Sequence, residues 1–214
     1  MLTLKWILDF FLHIDRNLLA VAHQYGAWSY GILFAILFME TGLVIAPFLP
    51  GDSLLFAAGA LAGAGAFQLG WLLVLCVIAA FVGDTVNYWI GRTAGPQILE
   101  KGHKLIKKEH IHKAQEFYKK HGGFAIVLSR FVPIVRTFAP FVAGISEMKY
   151  TTFMLFNLLG GILWVGLLVM AGFFFGNIAV VKAHFDLVIL AIAAISVIPI
   201  VIEYVKERAA ANAK

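Results

Sequence analysis

The chain has 214 residues, 61% of them apolar and 14% charged, with a mean hydropathy of +0.88. That balance excludes an ordinary soluble globular domain. The formal charge of +5 is concentrated: residues 91–122 hold eight basic side chains, from Arg92 to Lys120, against Glu100, Glu109 and Glu116. This run is short, interleaved with glutamates and histidines, and bounded on both sides by apolar segments. Membrane topology and anionic-lipid contact therefore explain it better than nucleic acid.

In chain order, residues 1–27 read as an N-terminal amphipathic helix. Leu4 to Tyr25 is interrupted by Asp9, His13, Asp15, Arg16 and His23, which suits an interface better than a span. The basic start and small-residue cleavage site of a signal peptide are missing.

Residues 28–91 form a first repeat: the apolar segment Gly31 to Phe67, with Glu40 and Asp52 on either side of Pro47-Phe48-Leu49-Pro50-Gly51, and then a crossing from Trp71 to Ile90. Residues 92–122 are the basic loop, cytoplasmic by the positive-inside rule. Residues 123–177 form a second repeat. Its apolar segment Gly123 to Ile145 carries Arg130 and Arg136 around Phe131-Val132-Pro133, with Pro140 further on, and its crossing runs from Thr151 to Gly176. A last span, Leu187 to Ile202 within residues 186–205, returns the chain to the cytoplasm, where Lys206, Arg208 and Lys214 follow.

The two proline-interrupted segments are apolar enough for membrane depth, yet proline breaks helices. Freed backbone at that depth is tolerated only against protein or a water-filled cavity. Both segments are therefore expected to be re-entrant helical hairpins, broken at Pro47, Pro50 and Gly51 in one and at Pro133 and Pro140 in the other. Weak self-similarity at an offset of 85, placing Gly59 on Gly144 and Gly91 on Gly176, supports an internal repeat. A hairpin plus one crossing per copy makes the two copies opposite in orientation. The expected fold is all-α and polytopic, with two inverted re-entrant hairpins facing each other, about three transmembrane helices and the N-terminal amphipathic helix.

Each ionisable side chain at the centre of a membrane costs roughly 2.5–3.5 kcal/mol on insertion scales. Here one hairpin carries two acids and the other two arginines, so the charges can cancel in pairs around one cavity. Salt bridging alone would be a weak use of them, because buried ion pairs stabilise poorly compared with apolar packing. The planar, permanently charged fork of arginine suits a phosphate, which makes Arg130 and Arg136 the candidate phosphate-binding residues. Glu40 is the candidate proton carrier or counter-ion; Asp52 either shares that role or caps the helix that follows Gly51.

Asp84 and Tyr88 are four apart, hence on one helix face. With Arg92 they line a candidate exit or, more simply, anchor the interface. Gly63, Gly65, Gly160 and Gly161 suit close helix packing, and Cys76, alone in an apolar run, is read as packing. The histidines show no metal-pair spacing. Ser53, Ser129 and Thr137 lack an adjacent base, so no catalytic residue, metal or cofactor is expected.

The stretches Phe38-Met39-Glu40-Thr41-Gly42, Phe48-Leu49-Pro50-Gly51-Asp52-Ser53, Gly83-Asp84 with Tyr88 and Ile90-Gly91-Arg92, and Ser129-Arg130-Phe131-Val132-Pro133-Ile134-Val135-Arg136-Thr137 resemble the DedA family, part of the superfamily of SNARE-associated Golgi and VTT-domain proteins. The resemblance implies a multi-pass protein of the bacterial inner membrane with two facing re-entrant hairpins. It also implies Glu40, Asp52, Arg130 and Arg136 as the working charges. The implied partners are protons and a lipid, either undecaprenyl phosphate or a phospholipid, and a homo-oligomer is compatible with it. The function expected is a flippase or scramblase for a lipid phosphate, linked to the proton-motive force. The alternative is a proton or cation antiporter serving membrane potential and pH homeostasis.

Overall fold

The structure, a computed structural model, describes residues 26–42, 51–100, 118, 120–185 and 187–192. Pro47 and Pro50, most of the amphipathic segment, much of the basic loop and most of the last span lie outside the described residues. Among the described residues the fold is all-helical, with α1 Trp28–Gly42, α2 Gly51–Gly63, α3 Leu69–Glu100, α4 Phe124–Ser129, α5 Pro133–Ile145, α6 Tyr150–Phe175 and α7 Ala179–Ala183.

Two stretches are long and apolar enough to cross a bilayer: Leu69–Gly95, of 27 residues, and Tyr150–Phe175, of 26. At about 1.5 Å per residue each exceeds the roughly 30 Å of hydrocarbon it must span. The outward side chains of α6, among them Leu155, Leu159, Leu163 and Leu167, are exposed and apolar, as a lipid-facing surface requires. Helix α3 does not stop where its apolar side chains do. It continues past Ile90 to Glu100, because the backbone ladder is indifferent to the appearance of polar side chains. The first residues of the stretch read as a basic loop are thus helical.

The chain forms two compact units. One, here the arginine unit, lies within Phe34–Leu49 and Cys76–Trp164. The other, the terminal unit, lies within Met1–Leu33, Pro50–Leu75 and Val165–Lys214.

In the arginine unit α5 crosses the second half of α3 at backbone distance. A side chain on Gly91 would strike the Phe141 carbonyl, one on Gly144 the Tyr88 carbonyl, and one on Gly95 the Ile145 side chain. The same triple contact recurs inside the terminal unit between α2 and the second half of α6: Gly172 against the Phe56 carbonyl, Gly59 against the Val169 carbonyl, and Gly176 against Ala60. The long helices contribute Gly91-x-x-x-Gly95 and Gly172-x-x-x-Gly176, the small-residue spacing that lets membrane helices meet closely.

The two crossings therefore share one contact pattern, in a register that differs from the self-similarity at 85. The short helices keep the offset of 85 (144 − 59), but the long helices are related by 81 (172 − 91). Gly91 corresponds to Gly172, not to Gly176. A slip of four residues is about one helical turn, which leaves the glycines on the same face. Sequence matching alone does not separate the two registers.

A break between α4 and α5 places the two arginines. Arg130 caps the end of α4, Val132 is extended (φ −115°, ψ 104°), and Pro133 opens α5, a position where its missing N–H costs nothing. The helix runs through Pro140 instead of breaking there. Side-chain donors serve carbonyls of the turn before it: Asn87 Nδ2 donates to the Thr137 carbonyl at 2.8 Å, and the Tyr118 hydroxyl to the Ala139 carbonyl at 2.6 Å. The carbonyl that Pro140 leaves without its helical donor is that of Arg136, four residues back.

Candidate functional site: two buried arginine pairs

The arginine unit holds two ion pairs out of reach of solvent. Arg136 Nη2 donates to Glu40 Oε1 at 2.7 Å, and Arg130 Nη2 to Asp84 Oδ2 at 2.5 Å. Side-chain exposure in these pairs is 7% or less, and the four formal charges sum to zero. Backbone crossings bring them together. Gly42, two residues after Glu40, lies against Gly83, the neighbour of Asp84, so α1 delivers Glu40 beside α3. The α4–α5 break delivers the arginines.

Asn87 fixes the register of the first pair. Its one amide group donates to the Thr41 carbonyl at 3.2 Å and to the Thr137 carbonyl at 2.8 Å, and these are the residues that follow Glu40 and Arg136. Asn157 fixes the second pair. Its Nδ2 donates to the Phe81 carbonyl at 3.1 Å, which turns Oδ1 toward Arg130 Nη2 at 2.5 Å and settles the amide orientation. Among the described residues, Arg130 Nε and Nη1 are buried without a hydrogen-bond partner. One nitrogen of this guanidinium takes both acceptors, and the donors on the other two stay uncommitted.

The expected site residues thus divide. Glu40, Arg130 and Arg136 meet in the arginine unit. Asp52 lies in the terminal unit, half-buried in the first turn of α2, where a carboxylate suits the helix dipole. Gly51 starts the same helix, and it is buried.

Asp84, expected near an exit or interface, is instead buried as the partner of Arg130. Tyr88 is also buried. It stacks on Phe153 at 4.5 Å and donates to the Met148 carbonyl at 2.5 Å, while the exposed Arg92 donates to its hydroxyl at 2.9 Å. Among these three expected exit residues only Arg92 reaches the surface. Burial and the charge of Asp84 push the Tyr118 phenol up, so that group remains a hydrogen-bond donor.

Sequence reasoning missed Asn157 and Trp164. The signal was available for Asn157, because a lone amide in the middle of an apolar span needs a buried partner. Among the described residues no group of three acidic, histidine or cysteine side chains is placed to hold a metal ion.

Helices long and apolar enough to span a bilayer, with buried ion pairs among the described residues, define a helical membrane protein. Residues 49–174 match the VTT domain. The chain is 50% identical over 212 residues to protein DedA of Escherichia coli K12, covering 97% of each. It is 41% identical over 172 residues to an uncharacterized membrane protein of Mycobacterium tuberculosis H37Rv, covering 79% of this chain and 75% of that one. It is also 37% identical over 158 residues to the inner membrane protein YqjA of E. coli K12, covering 73% and 72%. The chain belongs to the DedA family of VTT-domain membrane proteins. No solved structure matches it.

Proposed function

We propose that the chain is a flippase or scramblase that carries a lipid phosphate, such as undecaprenyl phosphate or a phospholipid, across the bacterial inner membrane. Arg130 carries this reading: a buried guanidinium with uncommitted donors in a membrane family is a seat for an anion. The headgroup binds at Arg130 and Arg136 while the hydrocarbon tail stays in lipid.

Charge balance supplies the link to protons. The two pairs are neutral as they stand, so a headgroup entering this dry site would bring an uncompensated negative charge. A proton on Glu40 frees Arg136 from its carboxylate and leaves the site one unit positive, ready for a monoanion. Proton and lipid phosphate then bind together, and the proton gradient biases the direction of access. In this scheme the segments around the chain breaks are re-entrant hairpins, the basic loop of residues 92–122 and the C-terminus face the cytoplasm, and Asp52 assists as a second carboxylate.

The test is flipping of tagged undecaprenyl phosphate and phosphatidylethanolamine in proteoliposomes, with and without a pH gradient, for wild type, Glu40→Gln and Arg130→Ala. Inorganic phosphate uptake and proton–cation exchange are followed in parallel. Lipid movement that disappears in Arg130→Ala and loses its pH-gradient dependence in Glu40→Gln is the expected result. Cation exchange that persists in Arg130→Ala would instead favour an antiporter, and uptake of inorganic phosphate would replace the lipid by the free ion.

A further inference from the structure

Helix α6 presents to the arginines one face spaced at i, i+3, i+4 and i+7: Asn157, Gly160, Gly161 and Trp164. Asn157 accepts from Arg130. A side chain on Gly160 would meet Arg130 Cδ at 2.9 Å, and Gly161 lies 3.7 Å by the same measure from Arg130 Nη2. Above this floor stands the indole of Trp164, buried, with the Arg136 Cζ 4.8 Å and the Arg130 Cζ 5.8 Å from its ring centroid. One aromatic ring is within cation–π range of both guanidinium groups.

We propose that this face of α6 is a guanidinium seat, with Trp164 as the positioning residue that holds both arginines when their carboxylates let go. The inference rests on the reading of Arg130 and Arg136 as the anion site. During turnover the headgroup replaces Glu40 or Asp84 as partner of an arginine. At that moment two like charges lie close together in a dry site, and without another attraction they would swing apart. The negative face of the indole attracts both without neutralising either, and it competes for none of their hydrogen-bond donors. The glycines keep helix side chains out of the seat, and Asn157 holds Nη2 of Arg130.

The decisive experiment replaces Trp164 by mono-, di-, tri- and tetrafluorotryptophan through codon suppression. Fluorination drains the ring face of negative charge while barely altering its shape. Transport of a short-chain polyprenyl phosphate is then measured as KM and kcat separately, beside Trp164→Phe and Trp164→Leu. A graded rise in KM of about three- to tenfold along the fluorine series is expected, the size of a partly desolvated cation–π contact, with Phe retaining more affinity than Leu. A KM that stays flat across the series would reduce Trp164 to packing and overturn the proposal, whatever happens to the leucine variant. Arg130→Ala and Arg136→Ala are measured in the same preparation. If they transport normally, the anion-site reading falls first and the seat with it; if they fail while the fluorine series is flat, only the seat falls.

Discussion

The arginine unit and the terminal unit are built on one helix crossing and differ in what that crossing carries. The glycine contacts of α5 on α3 recur one for one in those of α2 on α6. In the register of these contacts, however, Asp84 corresponds to Val165, Asn87 to Leu168, Arg136 to Gly51 and Pro140 to Leu55. Only the Thr137 position keeps a polar side chain, as Asp52. The crossing is thus a structural device that needs small residues at three points and tolerates any chemistry between them. Among the described residues the two buried arginine pairs lie in one of the two units.

The comparison breaks most severely if the charges themselves prove dispensable. Arg130→Ala leaves Asp84 and Asn157 facing a cavity, and losing one partner of a buried pair costs about 3–5 kcal/mol. The expected outcome is a large fall in melting temperature in detergent together with loss of lipid movement. Installing an acid at the equivalent point of the other copy, Val165→Asp, is expected to cost about 3 kcal/mol with no new activity, since the terminal unit supplies no guanidinium there among its described residues. Equal tolerance of both changes would mean that the two units do not differ in the way described.

Next in size is a test of the shared geometry. Gly91→Ala and Gly172→Ala each push a methyl group into a neighbouring carbonyl, and overpacking of this kind costs about 1–3 kcal/mol. Matched losses in thermal stability are expected. A variant pair in which one glycine is tolerated would show that the 81-residue register is wrong. Asn87→Leu, by contrast, makes the arginine unit resemble the terminal unit at that point. It removes the hydrogen bonds to the Thr41 and Thr137 carbonyls, at about 1–2 kcal/mol. Transport is expected to fall more than stability, because the register of the Glu40–Arg136 pair is lost while the crossing stays.

Much of this was legible in the sequence because composition and proline placement are local signals. The all-α membrane class, both long spans and the break between Arg130 and Arg136 followed from apolar runs and from Pro133. The pairing did not follow. The two acids of one segment were expected to cancel the two arginines of the other; Glu40 does meet Arg136, but the partner of Arg130 is Asp84. Asp84 sits among Thr85, Asn87 and Tyr88 near the end of its span, and looked interfacial. Its burial depends on α5 lying against α3 at Gly91 and Gly144, a contact more than 40 residues apart in sequence. Trp164 and Asn157 stayed hidden for the same reason. In an apolar helix a tryptophan reads as lipid or core, and only the fold shows two arginines beside it.

The smallest predicted effect concerns how the two short helices end. Helix α2 closes with Gly65 at φ +85°, its N–H bonded to the Ala62 carbonyl at 3.1 Å and that of Ala66 to the Leu61 carbonyl at 2.9 Å. Helix α5 closes with the same hydrogen-bond pattern, Glu147 to Gly144 at 3.1 Å and Met148 to Ala143 at 3.1 Å. Its left-handed residue, though, is Glu147 at φ +54°. A side chain there costs about 1–2 kcal/mol, in a motif where glycine is the usual occupant. Glu147→Gly relieves that strain but adds freedom to the unfolded chain, worth about 0.5–1 kcal/mol in the opposite sense. The net expectation is a gain of about 0.5–1 kcal/mol, read as a modest rise in melting temperature. Glu147 is exposed and outside the ion pairs, so transport should not change with it. A loss of transport in Glu147→Gly would mean that the strained cap belongs to the working part of the arginine unit and is not merely a less favourable copy of the glycine cap in the terminal one.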